Sequence, residues 1–309
     1  MPTDVLCIGT TLIDELFFCN NKVIQGTSNP AKIKRTVGGV MSNIVQHLKL
    51  LNVNVDFITV LGNDSDAQFI EDYFFEKKIS LEHSIKVPHP SGKYVAIHHN
   101  DGSLYTAACN DEAYKYLTAD FLQTKEGLFR SAKFVVCDTN INSEAIQWLI
   151  NCCNRNGNKL IIEPVSVLKA QKLLKVNKQG LFMITPNEDE LQSLSSDLYA
   201  DQNKIIKNLI SSGLKNVWLR KGIEGSAIYN SSEFFGLPAV QINVKDTTGA
   251  GDSALAAWIW ATLHLYKNSD AMAFAHSLAF EVLQQEGAVL TTLNENLLIN
   301  LKEKYYPND

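Results

Sequence analysis

The chain lacks the marks of several large functional classes. None of its six cysteines, at positions 7, 19, 109, 137, 152 and 153, forms a C-x-x-C pair, and its seven histidines include no H-E-x-x-H. Neither residue type therefore offers the spacing of a zinc site. A vicinal pair such as Cys152-Cys153 rarely closes a disulfide, so the cysteines read as small buried apolar residues of a reducing, cytoplasmic compartment. There is no G-x-x-x-x-G-K-[ST], which excludes a P-loop nucleotide site. No apolar run reaches the length of a membrane span, and Met1-Pro2-Thr3-Asp4 lacks the basic start of a signal peptide. No Lys/Arg-dense tract is present. The densest basic stretch, Lys32-Ile33-Lys34-Arg35, alternates like a solvated strand face, and the formal net charge is −5. That balance argues against a nucleic-acid partner. Internal repeats, low-complexity tracts and an obvious linker are also missing.

What remains is a chain of 309 residues with 45% hydrophobic and 20% charged content, ordinary for one large enzyme-like domain with a small appendage. Short apolar runs at residues 5–9, 55–62, 134–138, 160–163 and 182–185 read as buried strands. Helical periods at 41–51, 65–77, 143–156 and 204–212 lie between them. This alternation predicts an α/β fold with a mostly parallel sheet covered by helices on both faces. Ligands in such folds bind at the carboxyl ends of the strands, which draws attention to Asp138, Glu163, Asn187 and Asp246. Residues 12–36 and 92–110 break the pattern. The second reads as a hairpin around Asn100-Asp101-Gly102. Together the two segments predict a small β-sheet lid over a single domain, or else two unrelated surface hairpins.

The most informative stretch is Asp246-Thr247-Thr248-Gly249-Ala250-Gly251-Asp252, which runs straight into an apolar helix. A helix start leaves four N–H groups unpaired and carries partial positive charge, and residues without bulk let a ligand approach them. That is an anion site, and phosphate is its usual guest. Asp252 stands where a carboxylate repels phosphate. It is either a helix cap or a base that takes a proton from a hydroxyl while the amides of Gly249, Ala250 and Gly251 hold the charge of a moving phosphoryl group.

Weaker signals surround it. Gly38-Gly39 before a helix allows close backbone approach, and Asn43 offers a donor and an acceptor to vicinal hydroxyls; a helix entry turn explains the pattern as well. Asp14, after the first strand, is a turn residue or an acceptor for two sugar hydroxyls. Asn187 and Glu190 make a capping box and, three apart on one helix face, also suit a hydrated Mg²⁺. Lys221-Gly222-Ile223-Glu224-Gly225 is a plain hairpin or a turn against which a nucleotide lies.

Taken in order, G-G-x-x-x-N, N-x-x-E, G-x-x-G and D-T-x-G-A-G-D resemble the ribokinase-like (PfkB) sugar kinases, from Val5 to about Val289. Within that family Ser28–Lys34, Glu163-Pro164-Val165-Ser166 with Lys169, and Asp138-Thr139-Asn140-Ile141 look most like the pseudouridine kinases. The resemblance implies a three-layer α/β/α domain with a β lid. It implies ATP, Mg²⁺ and a monovalent cation, K⁺, as cofactors. By the same resemblance Asp252 is the catalytic base, and Gly249, Ala250 and Gly251 form the anion hole. Asn187 and Glu190 order Mg²⁺ and phosphates, with Lys221, Gly222 and Gly225 along the nucleotide. Asp14, Gly39 and Asn43 hold the sugar, and the backbone oxygens of Asp246 and Thr248 hold K⁺ with help from residues 284–289. Asn29, Thr106 and Asn110 are the lid candidates for reading the base. Two departures stand out: Glu163 where Asp is common, and Asn110-Asp111-Glu112 without the Met often found there. The activity implied is phosphorylation of the 5′-hydroxyl of a nucleoside, pseudouridine first. Ribose, adenosine or inosine, and a ketohexose are the rival acceptors, and a nucleoside-sensing pseudokinase is the non-enzymatic rival. A homodimer paired through the lid strands is expected.

Overall fold

The computed structural model describes residues 3–197 and 200–307. Its main sheet has eight strands. From one edge they run Phe234–Leu237, Ser226–Tyr229, Asn216–Arg220, Met183–Ile184, Lys159–Glu163, Phe134–Asp138, Val5–Ile8 and Val55–Ile58. All pairings are parallel except the two that join Asn216–Arg220, Ser226–Tyr229 and Phe234–Leu237.

The central strands are apolar along most of their length because both faces are covered. Val5 and Cys7, Phe134 and Val136, Ile161, Met183 and Trp218 enter one core. Their neighbours Leu6 and Ile8, Val135 and Cys137, Leu160 and Ile162, Ile184, Val217 and Leu219 enter the other. Helices Val40–Leu50, Ala250–Leu263 and Asn268–Leu283 supply residues to the first core, and Ser143–Asn156 and Gln202–Ser211 to the second. This is a three-layer α/β/α architecture. The helix Ala250–Leu263 is buried at every position from Asp252 to Ala261, so it has no solvent face to slide on.

One expected strand is divided. Residues 55–62 form Val55–Ile58 and Val60–Leu61 instead of one element. Between them Thr59 donates its hydroxyl to Gly9 O at 2.6 Å, and the second piece pairs with Ile85–Lys86.

Residues 12–38 and 93–110 build a separate four-stranded sheet in the order Ala31–Gly38, Leu12–Cys19, Lys93–His98, Leu104–Asn110. Its root is fastened to the helix Ser65–Glu76. Lys93 Nζ lies 2.8 Å from Asp66 and 3.2 Å from Glu15, Arg35 also pairs with Asp66, and the Arg35 guanidinium sits 4.5 Å from the Phe69 ring centre.

The chain order reverses in the main sheet at Val5–Ile8. Its neighbours are Val55–Ile58 on one side and Phe134–Asp138 on the other. A crevice opens beyond the carboxyl ends of strands at such a point. Gly9, Thr10 and Asp138 occupy it, with Thr10 N donating to Asp138 Oδ2 at 2.8 Å.

Candidate active site

The helix Ala250–Leu263 starts at Gly249, whose φ of +78° lies in the left-handed region. A Cβ at Gly249 would overlap Ala288 O and stand 2.6 Å from Ala288 Cα. The turn is therefore glycine for both conformation and space. The segment behind it is tied in place by Asp246, which accepts from Thr248 N at 2.9 Å and from Gly287 N at 3.0 Å. Burial alone raises that carboxyl, but these hydrogen bonds outweigh it and hold it below the ordinary range. The Asp246 carboxylate is thus spent on fastening the turn to residues 284–289.

Gly251 is glycine for another reason. A Cβ there would overlap the Nη1 of Arg220, a residue the sequence motifs do not mark. Arg220 ends its strand with Nη1 3.0 Å from Glu163 Oε2. Glu163 Oε2 also accepts the Thr185 hydroxyl at 2.6 Å.

Asp252, in the first helical turn, is buried. It accepts from Asn43 Nδ2 at 2.8 Å across a separation of 209 residues. Burial, reinforced by the carboxylates of Glu163 and Asp138, pushes its carboxyl up to about 7, against the pull of the Asn43 hydrogen bond and of Arg220. Two carboxyls at this centre titrate far above the ordinary range. The other is Asp14, which burial raises to about 6.

Asn43 owes its position to the helix Val40–Leu50. Its carbonyl meets Nδ1 of the buried His47 at 2.9 Å, and His47 Nε2 accepts from Leu290 N at 3.3 Å. The ring is neutral, since burial lowers its pKa to about 4. Because Nε2 accepts, the proton lies on Nδ1 and is donated to Asn43. His47 thereby joins the helix that carries Asn43 to the segment that backs Gly249.

Gly38 and Gly39 serve the side chains around them. A Cβ on Gly38 would overlap the Asp14 carboxylate, and one on Gly39, at φ +99°, would stand 2.8 Å from Thr10 O. The pair seats Asp14 against the start of the Asn43 helix. Asn187 and Glu190 form the expected reciprocal cap, with Glu190 N donating to Asn187 Oδ1 at 2.8 Å and Asn187 N to Glu190 Oε2 at 2.9 Å. Glu190 is buried and its carboxyl raised, first by burial. Among the described residues no three His, Cys, Asp or Glu side chains converge as a metal cluster. A divalent ion here would therefore take most of its ligands from phosphate oxygens and water, with Glu190 as the protein carboxylate at hand.

The turn Lys221–Gly225 joins two antiparallel strands and is also a wall. Gly222 and Gly225, with Ala250, Gly251 and Thr247, line a cavity of about 750 Å³. Its far end is apolar, with Val240, Ile242, Val244, Ala279, Phe280 and Leu283. A glycine-rich helix start thus opens onto a recess lined largely by apolar side chains, a form suited to a small organic ligand. The recess is braced by one chain of hydrogen bonds: Trp218 Nε1 to Ser226 Oγ at 2.9 Å, Ser226 to His276 Nε2 at 2.7 Å, His276 Nδ1 to Tyr306 OH at 3.0 Å, and Tyr306 to Pro238 O at 2.7 Å.

The lid candidates do not join this centre. Asn29 spends its amide within its own loop, accepting from Ile24 N at 2.9 Å and donating to Ile24 O and Thr27 O at 2.9 and 3.1 Å. Thr106 pairs with Ile97 and Asn110 with Lys93, whereas Asp14 pairs with Tyr94 and Tyr94 with Cys109. Side chains alternate along a strand, so Thr106 and Asn110 lie on the sheet face opposite Asp14. The polar groups that do reach the Asp14 side come from elsewhere. Lys169 Nζ lies 2.9 Å from Asp111 and donates to Asn140 Oδ1, and Asn140 Nδ2 donates to Thr10 Oγ1. Beside this cluster Val165 has φ +67°, a costly conformation for a β-branched residue and one that collects at functional sites.

A family model for the pfkB family carbohydrate kinases matches residues 2–295. The chain belongs to that family. It is a sugar or nucleoside kinase, a phosphotransferase acting on a hydroxyl group. Among curated relatives, the pseudouridine kinase of Escherichia coli (strain K12) is 28% identical over 283 residues, covering 89% of this chain and 87% of that protein. The deoxyribokinase of Salmonella typhi is 24% identical, covering 86% of each chain. The fold matches that of Arabidopsis thaliana ribokinase complexed with ribose and ATP, with a TM-score of 0.85 at 20% identity over 98% of this chain and 99% of that one. No helix among the described residues is long and apolar enough to cross a membrane.

Proposed function

We propose that this kinase transfers the γ-phosphoryl group of ATP to the 5′-hydroxyl of a nucleoside, and that the nucleoside is pseudouridine. The observation that carries the phosphoryl transfer is Asp252, a buried carboxyl bonded to Asn43 in the first turn of a helix whose start is open to the cavity. The sugar lies between Asp14 and Asn43. Asp252 accepts the 5′-hydroxyl proton as that oxygen attacks phosphorus, and the amides at Gly249–Gly251 hold the charge on the transferring group. Mg²⁺, near Glu190, supplies neutralising charge on the phosphates when bound. K⁺ bound to the carbonyls of Asp246 and Thr248 and to residues 284–289 would stiffen the same turn. Because burial brings Asp252 to about 7 and only its ionised form takes a proton, kcat/KM should fall about tenfold per pH unit below that value. A flat profile between pH 5.5 and 7.5 removes Asp252 as the base.

The choice of pseudouridine rests on the likeness to the pseudouridine kinase of Escherichia coli and on the Lys169, Asn140 and Asp111 cluster. Pseudouridine has a carbon–carbon glycosidic bond and so one more ring N–H than uridine. Asp111 or Asn140, both held by Lys169, would accept that proton, and uridine would forgo the bond. In a closed site such a lost hydrogen bond is worth up to about 10⁴-fold in discrimination. Comparison of kcat/KM for pseudouridine, uridine, adenosine, deoxyribose and ribose tests this. If uridine or a free sugar equals pseudouridine, the substrate is wrong while the kinase remains.

The small sheet would act as the lid. The strand Leu104–Asn110 is exposed along all seven residues, and such an element closes only when something lies beneath it. Amide hydrogen exchange in residues 12–36 and 92–110 should slow about tenfold or more with pseudouridine bound and stay unchanged in the helix Ser143–Asn156. Equal protection with and without ligand rejects closure. Both edges of this sheet are bare, with Leu104 exposed on one and Ile33 on the other, and we place the contact with a second copy, giving a homodimer, at the Leu104–Asn110 edge. Sedimentation of the protein and of a Leu104→Lys variant would test it. A cytoplasmic setting fits the free cysteines and the intracellular supply of ATP.

A further inference from the structure

Arg220 lines this cavity beside Glu163, and no step of the proposed transfer uses its charge. Three observations meet on it. Its guanidinium abuts the first turn of the helix Ala250–Leu263, Nη1 foremost, so close that a Cβ on Gly251 would overlap Nη1 and stand 3.2 Å from Cζ. Its Nε and Nη2 are buried and have no hydrogen-bond acceptor among the described residues. Among the described residues its ion pair is the one from Nη1 to Glu163, and the side chain lines the same cavity as Ala250, Gly251 and Gly222.

A guanidinium has five N–H donors in a rigid fork. To bury it with donors unmet is unfavourable, and the protein offers nothing to meet them. The carboxylates around it, Glu163, Glu190 and Asp252, make the place hostile to a polyphosphate unless positive charge compensates. Amide dipoles at a helix start provide only partial charge. A planar fork beside those amides is the geometry that takes two phosphate oxygens at once.

We propose that Arg220 is the phosphate clamp of this enzyme: parked on Glu163 without nucleotide, it turns into the cavity and binds non-bridging oxygens of the triphosphate, adding a full charge to the Gly249–Gly251 amides. Glu163 is its resting partner and stays anchored by Thr185 when the arginine leaves. The reason Gly251 bears no side chain is then the passage of this guanidinium as much as the approach of phosphate. This inference rests on the reading that a nucleoside triphosphate occupies the cavity.

The test measures binding separately from turnover, by calorimetry with ATP, ADP, adenosine and pseudouridine on the wild type, Arg220→Met and Arg220→Lys. Arg220→Met should bind ATP about 30-fold or more weakly and ADP less severely weakened. It should bind adenosine and pseudouridine within twofold of wild type, and lower kcat by about 10²–10³. Arg220→Lys should recover part of the ATP affinity. A residue that merely neutralised the carboxylates would instead shift the acid limb of the pH profile and leave the ratio of ATP to adenosine affinity alone, and that result overturns the proposal. So does unchanged ATP binding in Arg220→Met. Should the variants fold poorly, the wild-type protein still decides: the Arg220 side-chain Nε–H resonance should shift and become protected from exchange with ATP but not with adenosine, and no change overturns the assignment. ATP binding without phosphorylation of any nucleoside rejects the acceptor alone and leaves the arginine result readable. A wild type that binds no ATP rejects both.

Discussion

Asp252→Asn should lower kcat by about 10²–10⁴ with pseudouridine affinity within a few-fold of wild type. The asparagine keeps the shape and can still accept from Asn43, so the loss isolates the proton acceptor from the geometry. A second, opposite effect accompanies it. The Asp252 carboxyl titrates near 7 in the folded chain, against 3.8 ordinarily, so the folded state binds an extra proton between those values. For such a raised carboxyl, stability falls as pH rises through the window, and above it the buried charge is a standing cost. Asp252→Asn should therefore raise the melting temperature at pH 8, by about 2–5 °C, and the difference should shrink towards pH 4. Near-normal turnover in this variant would reduce Asp252 to a helix cap. Lost turnover together with a lowered melting temperature would point to damage, not chemistry.

Gly249→Val should be more severe for the molecule as a whole. The residue sits at φ +78° with the space for a Cβ already filled by Ala288. The left-handed conformation alone costs an L-residue roughly 1–2 kcal/mol, and relief of the overlap must push the turn away from residues 287–290. The amides that receive the phosphoryl charge move with it, and removal of one such donor costs about 10²–10³ in kcat. Gly26→Ala is the matched control. Gly26 has φ +81° with nothing within 4 Å of a Cβ, so it carries the conformational cost without the overlap and should retain full turnover. If Gly249→Val, folded by circular dichroism, phosphorylates its acceptor at the wild-type rate, the turn is not an anion hole.

The parallel sheet was legible because strands buried on both faces must be apolar at every position, and Val5–Ile8 and Phe134–Asp138 carry no polar residue before their ends. Asp252 and its glycines were legible because helix start, small residues and misplaced carboxylate lie within seven consecutive positions. The lid readers were not. Whether Thr106 or Cys109 faces Asp14 depends on the register of Leu12–Cys19 against Lys93–His98, a parallel pairing between segments some eighty residues apart in the chain. A slip of one residue reverses every side chain. The glycines at 38 and 251 were seen, but not that they also make room for Asp14 and Arg220, two side chains distant in sequence. Arg220 itself gave no signal, since an arginine closing a strand is common and its orphaned donors exist only once Gly251 and Glu163 are in place. His47 was equally silent, since its role depends on a backbone amide 243 residues further on.

The bond from Asn43 to Asp252 spans about two thirds of the chain, and this bears on how the protein is made. A ribosome delivers the acceptor-side residues first and the base about 209 residues later. Until the helices Ala250–Leu263 and Asn268–Leu283 emerge, the sheet face carrying Val5, Phe134 and Trp218 is covered only in part, by earlier elements such as the helix Val40–Leu50. A nascent chain therefore passes through a long stage with a nearly complete sheet, a partly open apolar face and no catalytic centre. Folding dominated by such distant contacts is slow and exposed to aggregation. Synthesis stalled before residue 250 would leave a body that needs chaperone cover and has no activity. The last fifth of translation closes the core and brings Asp252 to Asn43 in the same event.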